Sequence, residues 1–359
     1  MNAMKLNAKN ERIKRAYRIF LKEADGKAEA SVEQLMKAIE RYEAFTHRAD
    51  FGTFDQRKAV RFKDHMASQE LAKATILSTV KALKRFFGWL SQQAGFRSLV
   101  RRTDIEYFNL AERDVRAAKS PADRSVPTLE QVRKAFAAMP CETSIDRRNR
   151  AIIALLGLTG IRDGALITLK LKHFSETNLR ILQNPNEVAT KNAKRIDTFL
   201  IDIAPELTAE LIAWRSHLAE ELLYSLNDPL FPKTAMGQDH NDCFVAAGLT
   251  REHWASAQSV RNVVKASFEA AALPYFHPHT FRHMLVQQAY RHCRTPEQLK
   301  AWSQNFGHED VLTTLRSYGK VDLERQRQIL QSIGQPSSDD DRPVTMRDLM
   351  QLIGERKSA

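Results

Sequence analysis

The chain has 359 residues and a mass of 41.0 kDa, with 55 Lys+Arg against 43 Asp+Glu, a net charge of +12 and a pI near 9.6. With 43% hydrophobic and 27% charged residues it has the apolar content for packed cores and the length for about two domains, which excludes a disordered chain or one small module. Three scattered cysteines, Cys141, Cys243 and Cys293, argue against a disulfide framework or a thiolate zinc site, and the longest apolar stretch, Ala151 to Leu158, is far short of the ~20 residues of a membrane span.

The charge is unevenly placed. Residues 1–125 carry 26 Lys+Arg and 16 Asp+Glu, net +10, leaving 29 and 27, net +2, for the rest. A surplus of that size points to a polyanion partner. Residues 1–30 read as a basic N-terminal segment without the apolar core of a leader. Residues 31–118 read as a helical domain. Ser31 to Phe45 repeats apolar residues at Val32, Leu35, Ala38 and Ile39, Phe54 to Met66 follows Gly52, Leu71 to Gln93 is long and amphipathic, and Thr103 to Ala118 completes the set. Arg57, Lys58, Arg61, Lys63, Lys73, Lys81, Lys84 and Arg85 punctuate these helices and leave a cationic face beside an apolar one.

Residues 119–126 are small, polar and proline-containing, a linker before a helix start at Pro127-Thr128-Leu129-Glu130. The second domain, residues 127–333, is mixed. Leu129 to Met139 and Arg147 to Leu158 are helical, whereas Leu179 to Leu182, Glu187 to Thr190 and Arg195 to Ile203 are β-prone, predicting a three-stranded antiparallel sheet with a hairpin tip at Lys191–Lys194. Helices resume at Pro205 to Ser225, Val260 to Ala272, His279 to His292, Pro296 to Phe306 and Asp322 to Ile333, and residues 234–259 look like an inserted loop. Residues 334–359 combine an acidic linker, QPSSDDDRP, with a short apolar-faced helix from Thr345 to Ile353. The fold class expected is mainly α with a small antiparallel β-sheet, a helical bundle followed by an α+β domain.

Four segments of the second domain concentrate chemistry. In Thr159-Gly160-Ile161-Arg162-Asp163 a glycine ends an apolar helix and an arginine follows at the turn. Lys191, Lys194 and Arg195 crowd the hairpin tip. In His277-Pro278-His279-Thr280-Phe281-Arg282-His283, helical geometry puts His279 and Arg282 on one side with Val286, away from Phe281, Met284 and Leu285. His308 follows Gly307, and Tyr318 lies past Thr313-Thr314.

An arginine after TG, a lysine on a hairpin, HxxR, GH and a tyrosine past TT, in that order, resemble the catalytic signature of the tyrosine recombinases, the phage integrase family. The resemblance spans residues 127–333, and more loosely 31–118, which resemble the family's core-site-binding domain. It implies a recombinase catalytic domain that cleaves and rejoins DNA through a 3′-phosphotyrosyl intermediate with Tyr318 as nucleophile. Arg162 and Arg282 would grip the transition-state phosphate, and His308 would donate to it. His279 would move a proton or hold an oxygen, and Lys191 would protonate the leaving 5′ oxygen, with Lys194 as the fallback.

By their charge and placement Arg57, Lys58, Arg61, Lys63, Lys81, Lys84, Arg85, Lys194 and Arg195 are the expected contacts to double-stranded DNA, which by the resemblance carries paired recombination sites. It calls for no metal or other cofactor. It implies a homotetramer on DNA, joined by exchange of the C-terminal helix, acting in the cytoplasm at the nucleoid and away from any membrane.

Two departures from the family pattern stand out. After Arg162 the chain reads Asp163-Gly164-Ala165, so the acid expected a few residues on is replaced by alanine. The interval from His308 to Tyr318 is one residue longer than the common spacing. The rival readings are a type IB topoisomerase-like enzyme that religates the same strand, a catalytically impaired DNA-binding protein on the same scaffold, and a metal-dependent nuclease using His279 and His283.

Overall fold

A computed structural model describes residues 6–119, 125–238 and 242–308, with residues 326, 327 and 330. The chain divides into two compact units, Met1–Ala122 and Asp123–Ala359.

The first unit is helical among its described residues: α1 (Ala8–Glu23), α2 (Glu29–Phe45), α3 (Gln56–Ser68), α4 (Lys73–Leu90), α5 (Arg102–Ile105) and α6 (Glu112–Lys119). Its core is aromatic. Tyr17, Tyr42, Phe51, Phe54, Phe62, Phe86, Phe87 and Phe108 are buried together, with Phe54 stacked on Phe87 at 4.1 Å between centroids.

Two expectations are corrected here. Of the segment 1–30, the described residues do not stand apart from the bundle: α1 places Ile13, Tyr17 and Leu21, four residues apart on one face, in the bundle's own core. Asn10 of α1 is also buried, and its amide bonds Glu43 Oε1 and the Ala49 carbonyl, both at 2.9 Å. Nor is Thr103 to Ala118 one helix. A 3-10 turn at Glu106–Phe108 breaks it, because Phe108 drops into the aromatic core and Asn109 leaves in extended conformation.

The second unit is built around α8 (Ser144–Thr159), with α7 (Leu129–Ala137) before it and α9 (Asp163–Leu166), α10 (Pro205–Ser216), α11 (Gln258–Ala270), α12 (His279–His292) and α13 (Pro296–Asn305) after it. Every residue of α8 from Ala151 to Thr159 is buried, as an all-round apolar run requires, and α7, α10, α11 and α12 pack against it. Thr128 and Thr143 start α7 and α8 with capping boxes.

A three-stranded antiparallel sheet lies beside these helices, ordered β1 (Phe174–Ser175), β2 (Arg180–Gln183), β3 (Ile196–Phe199), with Ile181 paired to Phe174 on one side and Thr198 on the other. The expected strand Glu187 to Thr190 is not one. The Asn184 carbonyl accepts from the Glu187 and Val188 N–H groups, turning the chain, and Val188 is buried in the core. The place of that strand is taken by β1, too short to carry a β signal in the sequence.

The stretch read as an inserted loop, residues 234–259, contains a second antiparallel pair, β4 (Thr234–Gln238) and β5 (Phe244–Leu249), with a register shift between Ala235 and Met236. Met236, Phe244 and Val245 are exposed on it, so neither strand shows the inside-outside alternation that marks a strand in sequence. Among the described residues no helix is long and apolar enough to cross a membrane.

Candidate active site

Gly160 ends α8 in the left-handed region, with φ +56°. A Cβ there would sit 3.1 Å from Arg282 Cα and 3.2 Å from Leu285 Cδ1, so glycine serves both the turn and the close approach of α12. Thr159 steadies the same turn: its hydroxyl donates to the Leu155 carbonyl and accepts from the Ile161 N–H. Arg162 then stands, half-buried, directly before α9.

Arg282 is 3% exposed. Its guanidinium donates to the Gly160 carbonyl at 3.1 Å, to the Phe306 carbonyl, and to His308 Nε2 at 3.3 Å, and it stacks over the Phe306 ring at 4.6 Å. The expected division of α12 into a polar and an apolar face therefore fails. Arg282 and Val286 are buried just as Phe281, Met284 and Leu285 are, because α13 and its exit cover the side where Arg282 lies.

His308 is 9% exposed. Burial, then the charges of Arg282, Arg162 and Lys194, push its pKa down to about 4. The imidazole is thus neutral at neutral pH. Because a guanidinium only donates, Nε2 accepts from Arg282 in this ring orientation and Nδ1 carries the proton.

Gly307, at φ +71°, fixes the histidine against the sheet: a Cβ would lie 2.6 Å from Ile196 Cδ1. Asn305 adds a second tie. Its side chain accepts from the Phe199 N–H at 2.6 Å and donates to the Phe199 carbonyl at 2.9 Å. Lys194, Arg195, Ile196, Asp197, Gln304, Gly307 and His308 consequently line one open depression.

The structure thus gathers Arg162, Lys194, Arg282 and His308. Lys191 is exposed in the same β2–β3 loop, in a 3-10 turn whose next two residues, Asn192 and Ala193, have φ of 62° and 50°. Lys194, the fallback in the sequence reading, is the lysine of this loop whose charge reaches His308. His279 is half-buried at the start of α12, its ring edge-on to His283 at 5.5 Å. Tyr318 and the segment Thr345 to Ile353 lie outside the described residues.

The acid missing at Ala165 has a counterpart two residues earlier, directly after Arg162. Asp163 Oδ2 accepts from Arg261 Nε and Nη2, both at 3.0 Å, and Oδ1 accepts from the Gly164 N–H at 2.9 Å. The sequence reading missed Arg261; it lies 98 residues from its partner, and no local pattern marks it.

In the helical unit Arg57, Arg61 and Lys81 are exposed. Lys58 folds onto Thr53 Oγ1 at 2.8 Å and Lys63 donates to the Asn109 carbonyl at 2.9 Å. Lys84 pairs with Glu106 at 2.6 Å and Arg85 pairs with Asp25. Arg195 lies 3.5 Å from Asp197. Among the described residues no three His, Cys, Asp or Glu side chains gather closely enough to hold a metal ion.

Residues 126–325 match the model of the phage integrase family. Tyrosine recombinase XerC of Bacillus pumilus (strain SAFR-032) is 23% identical over 248 residues, covering 68% of this chain and 70% of that protein. Among solved structures, XerH site-specific recombinase bound to palindromic difH substrate, a post-cleavage complex, has a TM-score of 0.61 at 18% identity, over 88% of this chain and 83% of that one. A lambda integrase (75-356) dimer bound to a COC' core site has a TM-score of 0.60 at 13% identity, over 93% and 99%. The family match spans more than half of the sequence, from before α7 to beyond α13, and with it the chain belongs to the phage integrase family and is a tyrosine-type site-specific DNA recombinase.

Proposed function

We propose that this recombinase cuts and rejoins double-stranded DNA with Tyr318 as its nucleophile. The Tyr318 oxygen attacks the scissile phosphorus and the bond to the 5′ oxygen breaks. The departing oxygen takes a proton from Lys191 or Lys194, and His279 accepts the tyrosine proton. A 5′ hydroxyl then reverses these steps on the phosphotyrosine, and bond energy is conserved throughout. Arg162 and Arg282 hold the non-bridging oxygens as charge builds on them.

The observation that carries this reading is the convergence of Arg282, Arg162 and Lys194 on a buried His308 held neutral by burial and by those charges. Such a concentration of fixed positive charge is matched by a phosphate with extra transition-state charge. Supporting the choice of partner, the XerH relative was solved on its difH substrate and the Tn1549 transposon integrase in complex with transposon right end DNA.

Four protomers holding two duplexes, with the segment Thr345 to Ile353 lent between neighbours, complete the proposal, and the setting is the nucleoid in the cytoplasm. A strand-exchange assay with two differently labelled duplexes tests it. Recombinant products are expected; religation of the original strands alone would assign a topoisomerase-like activity instead.

A further inference from the structure

The β2–β3 loop, residues 184–195, has two halves of different character. Residues 191–195 are largely exposed. Residues 184–190 are anchored: Val188 is buried in the core, and the Ala189 N–H donates to Thr168 Oγ1 at 2.9 Å. Directly before these anchors stands Glu187, whose carboxylate meets three cationic or donor groups from one turn. Oε1 lies 3.1 Å from Lys170 Nζ and 2.6 Å from Lys172 Nζ, and Oε2 lies 3.3 Å from His173 Nε2.

The turn that supplies these groups is itself fixed. Leu171 and His173 are buried, and the Leu171 and Lys172 N–H groups donate to the Asp228 and Leu226 carbonyls, both at 3.0 Å. His173 Nδ1 accepts from the Lys170 N–H at 3.0 Å, which leaves Nε2 as the donor toward Glu187 in the neutral ring. A carboxylate with two lysines and a histidine on it is a stronger tie than a single exposed ion pair. It stands four residues before Lys191.

We propose that Glu187 is a positioning residue for the general acid, clamping the arm that carries Lys191 and Lys194 to the turn Leu171–His173. The clamp limits how far that arm can swing from the reacting phosphate. An acid displaced by about 1 Å loses up to about 100-fold in rate. Glu187 itself touches neither phosphate nor nucleophile. The inference rests on the proposed role of a loop lysine in protonating the 5′ oxygen.

The test compares cleavage of a normal substrate with one carrying sulphur at the 5′ bridging position, which departs without a proton. The ratio of the two rates does not depend on how much enzyme is folded, so a merely structural loss leaves it unchanged. Wild type, Glu187→Ala, Glu187→Gln, Lys191→Ala and Lys194→Ala are compared. In Glu187→Ala the sulphur-to-oxygen ratio is expected to rise between about 10- and 100-fold, and Glu187→Gln, with the same shape and no charge, falls between it and wild type. If either lysine variant raises the ratio and Glu187→Ala does not, the positioning role is overturned while the lysine's role stands. If neither lysine variant raises it, the lysine reading fails and the positioning role falls with it.

Discussion

Arg282 donates to His308 Nε2 across 3.3 Å while its other arm holds the Gly160 carbonyl, so one buried guanidinium joins the end of α8, the first turn of α12 and the residue after Gly307. The sequence separations are 122 and 26 residues. Three motifs that are weak signals one at a time are thereby one physical object.

His308 is expected to stay neutral down to about pH 4. Histidine-ring NMR checks this: no titration of His308 between pH 6 and 8, and an upward shift toward the ordinary value in Lys194→Met, which removes one of the opposing charges. The unfolded chain takes up this proton near pH 6.5 and the folded one resists until about 4, so the His308 contribution to stability is complete above pH 6.5 and is lost as pH falls toward 4. An unfolding free energy that rises on acidification through that window in wild type and not in His308→Ala would contradict it.

Gly307→Ala should cost about 1–2 kcal/mol for the left-handed backbone alone, and more from the overlap with Ile196. Removing the Ile196 side chain in the same molecule relieves the overlap. The double variant Gly307→Ala with Ile196→Ala is therefore expected to lose less stability in denaturant unfolding than the sum of the two single losses. Strict additivity would mean that the glycine and β3 are not in contact.

Asp163→Ala and Arg261→Met should each slow single-turnover cleavage, and the two together should be no worse than the worse single change. Their coupling in a double-mutant cycle is expected at about 0.2–1 kcal/mol, the range for solvent-screened ion pairs. Independent effects would remove Arg261 from the support of the Arg162 turn.

In the helical unit the exposed Arg57, Arg61 and Lys81 are the cations with most to gain from phosphate. Each alanine substitution should flatten the slope of log affinity against log salt by about 0.9. Lys84→Ala should flatten it less, because Glu106 already pairs with that lysine. Equal slopes for Lys84→Ala and Lys81→Ala would refute the distinction.

Much of this was legible in the residues themselves. The stretch Arg147 to Leu158 reads as an apolar helix and is one, and Thr159-Gly160-Ile161-Arg162 reads as a helix end followed by a turn, as found. What was not legible depends on partners far along the chain. Asp163 with Arg261, and Glu187 with the turn at Leu171–His173, are made by packing, which leaves no local period. The strands β4 and β5 escaped because their exposed apolar side chains break the alternation a half-buried sheet imposes. The helix α1 reads as part of a basic segment because its arginines and lysines outnumber the three core residues spaced four apart.

The proposed reaction turns on a covalent link between Tyr318 and a 3′ phosphate. The direct measurement is trapping on a nicked suicide substrate, read as a protein–DNA adduct on a denaturing gel with the linked peptide sequenced. Wild type should give an adduct at Tyr318, and Tyr318→Phe should give none while binding the same DNA with unchanged affinity. An adduct of undiminished yield in Tyr318→Phe, or one mapped to another residue, would contradict the account.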